Sequence, residues 1–172
     1  IVAFAIRLDS PGPAGFRQIR IGHGGKPFTL YKFRTMRTGD DAPPRLSADG
    51  TAQLDAHRVT RIGKFLREKR IDETLQVLNI LRGEMSWIGP RPEPAPLSYA
   101  YEAAIPFYRY RHIVRPGITG WAQVLQGHVL GVSEARDKLY YDFYYMKHFS
   151  LWIDFLIVIR TVRTILTGFG AR

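Results

Sequence analysis

The sequence predicts an α+β fold that is mostly helical, with one short β-hairpin and proline-rich irregular connections. Three observations carry this. Two strand-like runs flank a glycine-rich turn, five later stretches read as helices, and no Gly-x-Gly-x-x-Gly follows a strand, which argues against a parallel dinucleotide-binding sheet. With 172 residues the chain is expected to form a single domain over 1–172.

The opening run Ile1-Val2-Ala3-Phe4-Ala5-Ile6 is apolar but far shorter than the roughly 20 residues a transmembrane helix needs. We read residues 1–8 as the remnant of an N-terminal membrane-embedded segment, the rest of its helix missing, so the fold is expected to be membrane-associated. A clipped core strand or helix is the alternative. Asp9-Ser10-Pro11-Gly12-Pro13 then stops the element.

Phe16 to Ile21 and Phe28 to Met36 form the hairpin pattern around Gly22-His23-Gly24-Gly25-Lys26. Period two puts Leu30, Lys32 and Arg34 on one side of the second strand. Two cations on one face are either a phosphate contact or a solvated strand face. Residues 38–57, with Pro43-Pro44 in their middle, read as a mobile loop.

From Arg58 to Arg70, Val59, Ile62, Phe65 and Leu66 make one apolar stripe beside a dense block of Arg and Lys. Asp72-Glu73 opens the next helix, with Leu75, Leu78 and Leu81 expected on its inner face and Gly83 as its C-cap. Ile88-Gly89-Pro90-Arg91-Pro92 cannot be helical. A helix over Tyr99 to Tyr110 is interrupted near Pro106, and Arg115 to Gly120 reads as a turn-rich connector. Residues 134–147 form a further helix. The last, within 150–167, is amphipathic, with Trp152, Phe155, Leu156, Ile159 and Leu166 opposite Arg160, Arg163, Thr164 and Thr167. Such a face suits a membrane interface and equally suits docking on a protein core.

Composition limits the chemistry. Lys and Arg total 25 against 15 Asp and Glu, a formal charge of +10, which points to an anionic partner. Cysteine is absent, which excludes disulfides, thiolate zinc sites and cysteine nucleophiles. Asp72 and Glu73 sit at a helix start, beside Arg67 and Arg70, where the dipole and the cations favour ionised carboxylates. An ionised Asp can attack phosphorus and form an acyl phosphate, and a neighbouring carboxylate can hold Mg²⁺. An ordinary acidic helix cap is the alternative. Arg91 lies between two prolines, which suits a fixed phosphate-binding fork or a structural salt bridge. Together with Lys32 and Arg67, these residues describe a phosphoryl-transfer site.

Five ordered runs then carry a resemblance. They are Phe28-Thr29-Leu30-Tyr31-Lys32-Phe33-Arg34-Thr35-Met36, Arg67 to Gln76, Asn79 to Pro92, Val114 to Val124 and Tyr141 to Asp154. Together they cover nearly the whole chain, which resembles the bacterial sugar transferases, the monotopic polyprenyl-phosphate phosphoglycosyl transferases. The resemblance implies transfer of sugar-1-phosphate from a UDP-sugar to undecaprenyl phosphate with release of UMP. This would be the first membrane step of a bacterial surface glycan (exopolysaccharide, capsule or O-antigen), at the cytoplasmic face of the inner membrane. It makes Asp72 the covalent nucleophile and Glu73 its partner, the two holding Mg²⁺. It assigns Lys32, Arg67, Arg91 and Arg20 to the phosphates and the nucleotide-sugar, and Asp142 and Asp154 to supporting acidic positions. The lipid bilayer is an implied partner, nucleic acid is not, and homo-oligomerisation stays open.

Two departures are visible. Thr74-Leu75-Gln76 stands where relatives often have Leu-Pro-Gln, and Leu125-Gln126-Gly127-His128 where many carry Asn-Gly-Arg. The contact made by that Arg is not transferred to His128. The alternative readings are a basic nucleic-acid-binding module, for which no zinc or helix-turn-helix signature appears, and an inactive scaffold of a glycan assembly complex.

Overall fold

The computed structural model describes residues 1–38, 58–126 and 131–167. The expected loop over 38–57 therefore lies outside the described residues apart from Thr38, as do Gly127 and His128.

Helix α1 (Val2–Asp9) leads into strands β1 (Gly15–Ile21) and β2 (Pro27–Phe33), which pair antiparallel with Phe16 opposite Lys32 and Arg20 opposite Phe28. The hairpin turn contains Gly24 and Gly25 at positive φ, which glycine adopts without strain. The second strand is shorter than expected. After Phe33 the Arg34 N–H bonds to the Ala14 carbonyl, and Met36 pairs only with Val59. Arg34 turns inward: its guanidinium donates to the carbonyls of Ser10 (2.7 Å), Ile6 and Pro11. These groups close the end of α1 and have no other use for a cation. Arg34 therefore does not share a phosphate-facing side with Lys32.

Helix α2 (Arg61–Glu68) begins at Thr60, whose hydroxyl accepts the Gly63 N–H at 3.0 Å. A Cβ at Gly63 would lie 2.0 Å from the Thr35 carbonyl oxygen, so only glycine lets α2 approach the chain leaving β2 this closely. Ile6, Ala14 and Leu66 form the first small core, which Phe33, Ile62 and Ile71 complete.

The next element departs from the expectation. Ile71–Gln76 is a 3-10 helix and only Val77–Leu81 is α-helical (α3). Leu78 and Leu81 face outward and Leu75 is only half-buried, while Asp72, Glu73, Gln76 and Asn79 are buried. At three residues per turn, the 3-10 segment rotates the inward face away from the position that α-helical spacing gives it.

Two strands were not anticipated. β3 (Ser86–Ile88) and β4 (Gly117–Thr119) pair parallel, inside the segments read as irregular. Gly89, Gly117 and Gly120 make this possible, because a Cβ on any of them would fall within 2.5 Å of facing backbone. Helix α4 (Ala95–Ala104) and a 3-10 turn (Tyr108–Ile113) are separated at Pro106, as the sequence predicts. Leu97, Tyr101, Ile105 and Tyr108 pack with Ala135 and Leu139 of α6 (Val132–Lys147) as a second core.

The third core joins Val124 of α5 (Trp121–Leu125), Tyr145 of α6, and Ile153 and Ile157 of α7 (Leu151–Thr167). Helix α7 thus docks on protein through one stripe. Its Trp152, Phe155, Val158, Ile159, Val162 and Leu166 remain exposed. No helix among the described residues is long and apolar enough to cross a membrane.

Candidate active site

The two carboxylates owe their position to the turn before them and to an amide after them. Arg70 takes a left-handed conformation (φ 55°) and redirects the chain from α2 into the 3-10 helix. Asn79, fully buried, then binds the free edge of β2. Its Oδ1 accepts the Tyr31 N–H at 3.2 Å and its Nδ2 donates to the Thr29 carbonyl at 2.7 Å and to Glu84 at 2.7 Å. One side chain thus replaces a strand neighbour and joins the element carrying Lys32 to the element carrying the carboxylates.

Glu73 is held by Arg91. The Arg91 Nη2 donates to Oε1 at 2.5 Å and Nη1 to Oε2 at 3.3 Å, and Arg70 stands 3.9 Å away. Burial alone would raise the Glu73 carboxyl; the Arg91 charge and its hydrogen bonds outweigh it and bring the group down to about 2. Asp72 behaves oppositely. Burial, together with the Glu73 charge, pushes its carboxyl up against the opposing pull of Lys32, Arg91 and Arg67. Its Oδ1 is buried and has no hydrogen-bond partner. Adjacent carboxylates are therefore pushed in opposite directions, one committed to an arginine and one open.

The surrounding cations are not all neutralised. Burial and the nearby Arg20 and Arg91 charges hold the Lys32 amine at about 8, and its ammonium lies 5.5 Å from the centre of the Phe16 ring. Arg20 is buried and spends one nitrogen on the Pro92 carbonyl at 2.6 Å, while its Nε has no partner. Neither has a carboxylate within 4 Å among the described residues. Arg67 donates to the Thr35 hydroxyl at 2.9 Å and contributes its charge to Asp72. Buried cations lacking carboxylates are costly unless an anion completes them. Lys32, Arg91 and Arg67 act on Asp72, and Arg20 lies with Lys32 and Arg91.

Of the two late acids, Asp142 is tied to this set and Asp154 to the α6–α7 packing. Asp142 accepts two hydrogen bonds from Arg111, at 2.9 and 2.8 Å, and Arg111 in turn donates to the Arg91 carbonyl. Asp154, in the first turn of α7, accepts from the Tyr145 hydroxyl at 2.9 Å. Four residues of consequence were not singled out beforehand: Asn79, Glu93, Arg111 and Lys138. A charged Glu93 between Pro92 and Pro94 was the available signal. A buried Asn in a leucine-rich helix gave none.

Fold and site together define a phosphate-handling domain, with a carboxylate pair inside a ring of fixed cations. The pattern described as "Bacterial sugar transferase" matches residues 1–168, and the chain belongs to this family. Over 171 residues it is 52% identical to the UDP-N-acetylgalactosamine-undecaprenyl-phosphate N-acetylgalactosaminephosphotransferase of Aeromonas hydrophila, covering 99% of this chain and 39% of that protein. It is 47% identical to the UDP-glucose:undecaprenyl-phosphate glucose-1-phosphate transferase of Caulobacter vibrioides, covering 97% of this chain and 62% of the relative. It is 41% identical to the exopolysaccharide production protein PSS of Rhizobium leguminosarum bv. phaseoli, covering 96% of this chain and 84% of the relative. The chain thus spans less than two thirds of the first two relatives.

Proposed function

We propose that this domain transfers sugar-1-phosphate from a UDP-sugar to undecaprenyl phosphate, at the cytoplasmic face of a bacterial inner membrane, as the first membrane step of a surface glycan. The observation that carries the reading is the Asp72 carboxylate, one oxygen of which has no hydrogen-bond partner, among the charges of Lys32, Arg91 and Arg67. The functions of the relatives support the same substrates. Because the cations converge on the carboxylate pair and do not line one surface, this reading is favoured over nucleic-acid binding.

In the first half-reaction an oxygen of the Asp72 carboxylate attacks the β-phosphorus of the UDP-sugar. A bond forms between this oxygen and the β-phosphorus. The bond to the bridging oxygen breaks, and its electron pair leaves on UMP. Lys32, Arg20 and Arg67 hold the phosphates, and Arg91, fixed by Glu73, offers charge to the developing negative oxygens. In the second half-reaction an oxygen of the lipid phosphate attacks the aspartyl phosphate, Asp72 leaves, and the sugar diphospholipid forms.

Mg²⁺ fits this site through few protein atoms. No group of three or more acidic or imidazole ligands occurs among the described residues, and Arg91 occupies both Glu73 oxygens. Of the pair, Asp72 is the one with an oxygen that has no hydrogen-bond partner, which suits an ion that keeps waters and substrate phosphates as its main ligands. Bound there, it would neutralise diphosphate charge. The exposed face of α7 would rest on the bilayer.

The test is to incubate full-length protein with a UDP-sugar and no lipid acceptor. A phosphosugar adduct on Asp72, with one UMP released per enzyme, is expected by mass spectrometry. Substantial turnover by Asp72→Asn in a membrane assay overturns the nucleophile.

A further inference from the structure

The residues following Gly89 are held in an unusual way. Pro90, Pro92 and Pro94 have no N–H, so this stretch cannot fix itself by ordinary strand pairing. Its carbonyls are instead held one after another. Pro90 accepts from the Gly117 N–H at 3.0 Å, Arg91 from the Arg111 guanidinium at 2.9 Å, Pro92 from the Arg20 guanidinium at 2.6 Å, and Glu93 from the Ile21 N–H at 3.2 Å. Two of the four donors are guanidiniums, which must themselves be held.

Arg111 is held by α6. Its Nε and Nη2 both reach Asp142 Oδ2, its Nη1 reaches the Tyr108 hydroxyl at 3.1 Å, and both members of the ion pair are 2% exposed. One turn earlier on the same helix, Lys138 pairs with the Glu93 side chain. Lys138 and Asp142 are thus opposite charges on one buried face, next to Ala135 and Leu139, Lys138 reaching the proline-rich segment directly and Asp142 through Arg111. Apolar residues of similar volume would stabilise such a face equally well or better, because buried ion pairs seldom repay their desolvation. What the pairs add is register.

We propose that α6 is a clamp that aims Arg91, with Lys138, Glu93, Asp142 and Arg111 acting as positioning residues for its guanidinium. The proposal rests on the transferase reading only in what Arg91 is aimed at. Asp142 and Arg111 fix the backbone of residue 91, and Lys138 fixes residue 93. The guanidinium between them is then directed at Glu73 and the phosphate site without freedom to swing. None of the four needs to touch substrate.

The test is a mutant cycle on the full-length protein in detergent, with UDP binding measured by calorimetry at fixed salt. Lys138→Met and Asp142→Asn are each expected to weaken UDP about tenfold, and Lys138→Arg to stay within about threefold of wild type. In an Arg91→Ala background, Lys138→Met should cost less than about twofold, because its effect passes through Arg91. Equal losses in both backgrounds overturn the clamp and leave Lys138 a general contributor to charge or folding. If Asp142→Asn loses its cooperative urea transition, Lys138→Gln in the two backgrounds decides the question by the same criterion. UMP release by wild type is measured alongside. Release without coupling removes the clamp and keeps the transferase reading; coupling without release from any UDP-sugar keeps the clamp and removes that reading.

Discussion

Arg91 grips Glu73 with both terminal nitrogens, at 2.5 and 3.3 Å, and thereby leaves Asp72 next door without a partner of its own. The Glu73 side chain is 8% exposed and that of Arg91 is 21% exposed, so removing one charge strands the other in a poorly solvated place. Glu73→Gln is expected to cost about 2 kcal/mol in urea unfolding, below the roughly 3–5 kcal/mol of a fully buried pair because Arg91 is partly wet. The double variant Glu73→Gln/Arg91→Met should recover part of that loss while UMP release stays below about 1% of wild type. Additive unfolding energies would show that the pair does not couple. Arg91→Lys should fail to restore activity, since an ammonium cannot occupy both carboxylate oxygens.

The opposed shifts in the carboxylate pair set the pH profile. Glu73, brought to about 2, stays ionised throughout the working range and contributes no limb. Asp72, pushed up by burial and by Glu73, must lose its proton to attack, so it governs the acid limb. Lys32, lowered by burial to about 8, loses its charge as pH rises through that value and governs the basic limb. A bell-shaped kcat/KM profile is expected, with an acid limb above the usual aspartate range and a basic limb near 8. Lys32→Arg should move the basic limb upward by more than one unit, because a guanidinium stays charged. A basic limb unmoved by that substitution rules out Lys32 as its source.

How far the sequence could be followed depended on whether chemistry or geometry made a residue notable. The Asp72-Glu73 pair, Arg91 between prolines, and Lys32 on the hairpin stand out by residue type, and the structure brings all three together. The inward face of α3 did not. Leu75, Leu78 and Leu81 satisfy helical periodicity, yet the buried side belongs to Asp72, Glu73, Gln76 and Asn79, because a 3-10 turn precedes the helix and a polar interior lies beneath it. The β3–β4 pair was hidden for a different reason. Strands of three residues show no periodicity, and their partners lie 31 positions apart, as with Ser86 and Gly117. The clamp residues Arg111 and Lys138 were invisible because only the tertiary fold brings them to Arg91 and Glu93.

Asn79 gives a prediction that separates stability from chemistry. Its amide satisfies the Tyr31 N–H and the Thr29 carbonyl at the β2 edge, and it is wholly buried. Asn79→Leu keeps the γ-branched shape but leaves these backbone groups unpaired, at a cost of about 3 kcal/mol in urea unfolding. Asn79→Asp retains one acceptor but loses the donors and places a second charge beside Glu84. It should therefore unfold at least as easily. Any folded fraction of either variant should show a raised KM for the UDP-sugar, since β2 carries Lys32. A wild-type KM in a folded Asn79→Leu protein would sever this link between the strand edge and the site.

Helix α7 presents its two faces to different surroundings, and charge substitutions separate them. Ile157 is 0% exposed against Val124 and Tyr145, whereas Phe155 is 53% and Ile159 50% exposed on the outer side. An aspartate at 157 buries an unpaired carboxylate and should cost about 3 kcal/mol or more, with vesicle binding lost only as the protein unfolds. Phe155→Asp/Ile159→Asp places charges where water already reaches, so its unfolding midpoint should match wild type within about 0.5 kcal/mol. If this face lies in the headgroup region, the same pair should reduce sedimentation with anionic phosphatidylglycerol vesicles at least about tenfold, because two large apolar groups are removed from the lipid contact. Its turnover of detergent-solubilised lipid acceptor should stay near wild type, since neither residue contacts the site. Unchanged vesicle binding by that double variant would mean that the outer face of α7 meets something other than lipid.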